Sequence, residues 1–203
     1  MPEREATPTR SAFLELKEER AGMEEGYGFL DEKRLILASE ILVELARYEE
    51  ETAAFLQEYA AAGQALKAAA ARHGLEGLEL YPPASALGGA LRLNARSVLG
   101  VVVHDARCEM ADQAPPPVSV EQSPEAERCR AAFQDLVPRA AHLATLAGNL
   151  ERLRMEYIRT SRRARALEDV LLPEMDETLK AVDAALEELD REEAIRVRLV
   201  PLP

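Results

Sequence analysis

The side chains able to do chemistry are few and scattered. Three histidines, His73, His104 and His142, stand far apart, and Cys108 and Cys129 form no Cys-x-x-Cys pair. His104, Cys108 and Asp112 fall at i, i+4 and i+8, which on a helix would put three metal-ligating groups on one face. The segment lacks a clear helical pattern, so no metal is expected there. Gly88-Gly89 has no nearby lysine to complete a phosphate-cradling loop. Acid pairs such as Glu187-Glu188 and Glu192-Glu193 read as solvated helix faces. Gly22 and Gly26 form a Gly-x-x-x-Gly step, either a tolerated weak point or a place of close approach by another backbone. No catalytic residue, cofactor site or metal site is expected.

The composition narrows the class further. With 25 basic and 37 acidic side chains among 203 residues, the formal net charge is -12. That balance opposes phosphate neutralisation on nucleic acid and attraction to an anionic membrane surface. A hydrophobic content of 47% excludes a disordered acidic tail. Aromatics make up only 4% and tryptophan is absent, which is thin for an enzyme core and usual for long helices. No apolar run approaches the ~20 residues of a membrane span. Two cysteines make no disulfide framework, and Met1 to Glu5 carry no apolar stretch of a signal peptide. A cytoplasmic, helix-rich protein is expected.

Proline placement shows which elements must carry these residues. Thr9 to Tyr81 contains no proline, and Arg139 to Val200 contains only Pro173. Proline costs ~3 kcal/mol inside a helix, so long helices are permitted in these two stretches. Pro82-Pro83, Gly88-Gly89 and Pro115-Pro116-Pro117 punctuate the part between. From Phe13 a 3-4 spacing runs through Leu16, Arg20, Met23, Tyr27, Leu30, Arg34, Leu37, Ile41, Leu45, Tyr48, Thr52, Phe55, Tyr59, Ala62, Leu66 and Ala69. The second run passes Leu143, Leu146, Leu150, Leu153, Tyr157, Thr160, Ala164, Leu167, Leu171, Met175, Thr178, Val182, Ala185 and Leu189. Such a repeat signals a coiled coil. At ~1.5 Å per residue, a helix of some 57 residues would be roughly 85 Å long.

Each run has one irregular step of two consecutive fours, Leu37–Ile41–Leu45 and Leu167–Leu171–Met175, read here as stutters. Setting the stutters opposite each other pairs Ile41 with Leu171, so that facing positions total about 212. That register also sets the basic stretch Arg152–Arg165 against residues 47–60. The fold class expected is mostly α: a long antiparallel two-helix coiled-coil hairpin with a small α/β head at the turn. Its parts are an N-terminal helix over 10–75, a head insert over 76–123 and a C-terminal helix over 124–200, with kinks possible near 138 and 173. Ala90–Val103 suggests one or two short strands. Ser123-Pro124, followed by Glu125 and Glu127, is a helix start. Pro173, inside the second irregular step, predicts a bend or local unwinding over 169–173.

Several segments together resemble the D subunit of A-type and V-type rotary ATPases. Thr7-Pro8-Thr9-Arg10 resembles that family's start, and Leu14-Glu15-Leu16-Lys17 with Leu30-Asp31-Glu32-Lys33-Arg34 is similar to its first-helix pattern. Thr160-Ser161-Arg162-Arg163-Ala164-Arg165-Ala166-Leu167-Glu168, running on to Pro173, is similar to its C-terminal signature, with Ala164-Arg165 in place of Val-Asn. Ser97-Val98-Leu99-Gly100-Val101 resembles part of its head, and Glu187 to Arg198 its last acidic-basic segment. The resemblance implies a non-catalytic central-stalk subunit, peripheral to the membrane on the cytoplasmic side. Such a subunit transmits torque between the nucleotide-binding ring and the membrane ion rotor. It implies as partners the A and B ring subunits, an F subunit and a membrane-rotor adaptor. It implies Arg10, Lys33, Arg34, Arg162, Arg163, Leu167, Glu168 and Pro173 as partner-contact residues. A free-standing coiled-coil scaffold or spacer is the other reading the residues allow.

Overall fold

The computed structural model describes residues 9–81, 90–109 and 122–199. Helix α1 spans Arg10–Glu79, strands β1 and β2 span Ala90–Val98 and Val101–Glu109, and helix α2 spans Pro124–Ala166. A π-helical turn over Leu167–Leu171 follows, then helix α3 over Leu172–Leu199. The described residues are thus mostly α with one small antiparallel sheet. Thr7, Pro8, Pro82-Pro83, Gly88-Gly89, Asp112, Pro115 to Pro117 and Val200 lie outside the described residues. The chain divides into two compact units, one formed by residues 1–36 with 157–203 and the other by residues 37–156.

Local chemistry sets the element ends. The Ala12 N–H donates to Thr9 Oγ1 at 3.2 Å, a side-chain cap on the first turn of α1. At α2, Ser123 Oγ accepts the Ala126 N–H at 3.1 Å, Pro124 opens the helix, and Glu125 and Glu127 sit at its positive end. Gly74 interrupts α1 with φ 67 and ψ 170, a left-handed conformation glycine enters without Cβ strain. Helix α2 continues through Pro138.

In the first unit the start of α1 runs antiparallel to α3. Arg10 pairs with Asp190 at 3.0 Å, and Arg20 Nε donates to Asp176 at 2.5 Å. In the second unit the rest of α1 runs antiparallel to α2, with Arg72 paired to Glu125 at 2.9 Å and Arg139 to Glu58 at 2.8 Å. These four pairs total 200, 196, 197 and 197, so the expected total of 212 is wrong by about two heptads. Glu51 and Glu58, expected to face Arg152–Arg165, face Arg139 instead.

The cause lies in the two irregular steps. After Leu37 and Ile41 the buried position is Glu44, not Leu45, so the first step is an ordinary 4-3 and no stutter exists there. The same displacement continues downstream, where Glu58 and Ala65 lie closer to the seam than the exposed Tyr59 and Leu66. The second step is a π-turn: Leu172, not Leu171, follows Leu167 on the inner side, and Leu179 replaces Thr178. Aligning the two steps therefore matched two features of different kinds. The local unwinding expected at 169–173 takes the form of this π-turn, with the Leu172 N–H donating to the Leu167 carbonyl.

The strands occupy the expected region. They pair from Ala90 opposite Glu109 to Val98 opposite Val101 and are joined by Leu99-Gly100 with φ 47 and 86, a two-residue turn with both φ positive. Val101 and Val103 are buried, whereas Leu91, Leu93 and Val102 lie exposed on the opposite face. His104 and Cys108 sit on β2, so the helix face that would have grouped them with Asp112 does not exist. Among the described residues, no group of three His, Cys, Asp or Glu side chains could hold a metal ion.

Candidate interaction surface

Within the second unit, polar contacts from both strands fasten the hairpin to the helices. In an antiparallel pair, alternate residues turn their backbone groups away from the partner strand. His104 is one of these, and the fully buried Asn149 of α2 reads both of its groups. Asn149 Oδ1 accepts the His104 N–H at 2.8 Å, and its Nδ2 donates to the His104 carbonyl at 2.7 Å. Arg152 also donates to Asn149 Oδ1 at 3.0 Å. On the other strand, Arg96 donates to Glu40 and, at 3.0 Å, to Glu44. Glu44 is only 2% exposed; its charge is matched by Arg96 and by Arg47 at 3.4 Å. A buried carboxylate persists only with such partners.

A second polar knot ties the end of α1 to the start of α2. His73 Nε2 and Ser123 Oγ share a hydrogen bond of 2.6 Å, and the Tyr81 hydroxyl donates to Glu127 at 2.6 Å. Burial, then the bond to Glu127, raises the Tyr81 hydroxyl above the usual tyrosine range. Glu125 is held below the usual carboxylate range, first by its own backbone N–H at the helix start and then by Arg72.

The residues singled out by resemblance all lie in the first unit. Arg10 is exposed and ion-paired with Asp190. Arg34 is half-buried and paired with Asp31 one turn earlier, and Lys33 beside it is half-buried. Arg162 and Arg163 are exposed on α2. Leu167 and Glu168 lie in the π-turn, and Pro173 is exposed just beyond it. Two of these residues meet around one group that sequence reading took only for a seam position. The Tyr27 hydroxyl bonds to Glu168, which raises it above the usual tyrosine range, with Asp31 and Arg34 adding opposed charge effects. Arg20 and Asp176 form the other such pair, and Arg20 holds the Asp176 carboxylate below its usual range. A basic residue at a seam position was the available signal for this pair.

Gly22 and Gly26 face open space among the described residues, so no described backbone of this chain approaches them. The larger feature is apolar. Among the described residues of the first unit, Ala164 and Val182 are the buried hydrophobic ones, whereas Leu14, Phe29 and Leu35 are 61–64% exposed. On α3, Leu189, Ile195, Val197 and Leu199 are exposed as well. The second unit adds exposed Leu42, Val43, Leu56 and Leu66 on α1, besides the Leu91–Leu93–Val102 face of the hairpin. No described helix is long and apolar enough to cross a membrane.

Antiparallel helices meeting along a narrow seam, with a stranded insert and large apolar side chains outside the seam, define a coiled-coil protein with a small sheet. Comparison with known families makes the class specific. The chain belongs to the family of ATP synthase D subunits, whose profile matches residues 12–201. It is 32% identical to the D subunit of the V-type ATP synthase of Anaeromyxobacter sp. (strain K), over 95% of this chain and 94% of that one. Identity to the corresponding V-type protein of Thermotoga neapolitana is 28% over 94% of each chain. For the D subunit of the A-type ATP synthase of Methanoregula boonei it is 26%, over 97% and 96%.

Proposed function

We propose that this chain is a non-catalytic central-stalk subunit of an A/V-type ATPase. In this reading it carries torque between a nucleotide-binding ring and a membrane ion rotor from a position peripheral to the membrane. The observation that carries the reading is the thin seam set against the wide exposed apolar surface of both units. Large apolar side chains left exposed along both units are surface that other proteins can cover. A self-sufficient scaffold would hide these side chains within itself or in a symmetric oligomer. Family membership supplies the assembly in which such covers exist. The partners proposed are the A and B ring subunits, an F subunit and a membrane-rotor adaptor. Lys33, Arg34, Arg162 and Arg163 are proposed as contact residues, and ATP chemistry is assigned to the ring. An asymmetric shaft couples to a ring by contacting its subunits unequally, which shifts each toward a different nucleotide-binding state.

The test is co-expression with the ring and F subunits, followed by purification through a tag on this chain. The reading predicts one copy per ring in that complex and, in the whole membrane-bound enzyme, ATP hydrolysis that drives ion transport only when the chain is present. A stable symmetric homo-oligomer that ignores those subunits would favour the scaffold reading instead.

A further inference from the structure

We infer that the π-turn at Leu167–Leu171 is a torsional joint that stores one surplus residue between two apolar stripes out of phase with each other. Upstream, Thr160, Ala164 and Leu167 turn inward at 4-3 spacing. Downstream, Leu172, Met175, Leu179, Val182 and Leu186 do so at 3-4 spacing. The step between Leu167 and Leu172 is five. An uninterrupted α-helix continuing from Leu167 would turn Glu174 and Ala181 inward and carry Met175, Leu179 and Val182 out. The wider π ring absorbs the surplus, and the backbone is ordinary right-handed helix at Ala166 and Leu172 on either side.

Two features keep the surplus where it is. Pro173 has no N–H, and its ring would clash with the Asp169 carbonyl in an α-turn over 169–173, so the surplus does not pass toward the C-terminus. Moving it toward the N-terminus would put Glu168 inward in place of Leu167. Glu168 is exposed, and turning it into the seam would bury its carboxylate at a cost in solvation. The turn itself is weakly held, since none of Leu167–Leu171 is buried and Val170 and Leu171 are exposed. Backbone with few buried contacts opens at low cost in free energy. Twist applied to α3 is therefore taken up here, while the seams on either side stay packed. The use of this joint in torque transmission rests on the rotor reading above; its existence does not.

The isolated full chain tests it. In the native protein, the amides of residues 171, 172 and 174–176 should exchange with solvent at least about tenfold faster than those of 179–183. A chain lacking Val170 and carrying Pro173→Ala removes both the surplus and the proline clash, and lets both stripes join in one continuous α-helix. It should remain helical, melt no lower than the parent, and lose the fast exchange. A chain lacking the exposed Lys180, where there is no surplus to remove, should lose the pairing of α3 with α1. Equal damage from the two deletions would overturn the inference, and so would native exchange at 171, 172 and 174–176 as slow as at 179–183. Both readouts are independent of the ATPase, so their failure is distinct from failure of the rotor reading.

Discussion

Replacing Asn149 by alanine strands the two backbone groups of His104 that its side chain satisfies. A net hydrogen bond contributes about 0.5–1.5 kcal/mol, and an unsatisfied buried group costs about 1–3 kcal/mol. His104 is half-buried, so water reaches part of the vacated site and the lower half of the range applies. The expected loss is about 2–3 kcal/mol, which is roughly a 30- to 150-fold change in the equilibrium that opens the hairpin. It should appear locally, because Asn149 is the α2 side chain that bonds to the β2 backbone. The assay is amide exchange at His104, protected in the parent by the bond to Oδ1 and accelerated by that factor in Asn149→Ala. Asn149→Asp keeps the acceptor and loses the donor, so it should fall between. Exchange at His104 within about threefold of the parent, with any loss of stability spread evenly over α1 and α2, would refute the reasoning. Asn149 would then merely fill space between the helices.

Other expectations follow from the same contacts. Leu37→Ala and Leu153→Ala, both at fully buried positions, should each lower stability by about 2–5 kcal/mol in denaturant unfolding. Leu99→Asn should raise it by about 0.5–1 kcal/mol, since Leu99 stands at φ 47 before Gly100 and Asn tolerates that conformation. Asp176 and Glu125 have depressed folded-state pKa values, so their contribution is present above the unfolded value of ~4 and is lost as pH falls through the folded values. Melting temperature should drop on acidification, and less steeply in Asp176→Asn. Tyr27 and Tyr81 are raised, so their contribution is lost only as pH climbs through folded values above ~10. Replacing Arg162 and Arg163 together by alanine should leave the isolated chain helical while weakening assembly or coupling, as measured by ion transport per ATP hydrolysed.

The helices were legible because a core this narrow leaves a clear 3-4 trace, and proline confines them to two stretches. The register was not legible. Apolar lettering favours Leu45, Tyr59 and Leu66, but burial of Glu44 depends on Arg96, a residue 52 positions away on a strand. No local pattern announces that partner. The π-turn was visible as an irregularity but had the same lettering as a coiled-coil stutter, because Leu171 and Leu172 are both apolar. The Leu99-Gly100 turn was hidden for a different reason, since leucine is an unfavourable residue at positive φ. Of the candidate contact residues, the basic ones were found by resemblance. Tyr27 was read as packing although its hydroxyl joins Glu168.

The antiparallel pairing also fixes an order of events during synthesis. Arg72 and Glu125 are 53 residues apart in the chain, whereas Arg10 and Asp190 are 180 apart. Closing the longer loop from an open chain costs only about 1 kcal/mol more. The delay at the ribosome differs far more. At about 5–20 residues per second, Arg72 waits roughly 3–10 s for its partner and Arg10 roughly 9–36 s. Pairing therefore begins with the residues next to the hairpin and closes outward, and the N-terminal third of α1 is the last to find its mate. Throughout that interval Phe13, Leu16 and Met23 are open to water beside the side chains that remain exposed in the finished protein. The nascent chain thus presents its most adhesive state before its C-terminus is made, when holdase chaperones have the longest time to act.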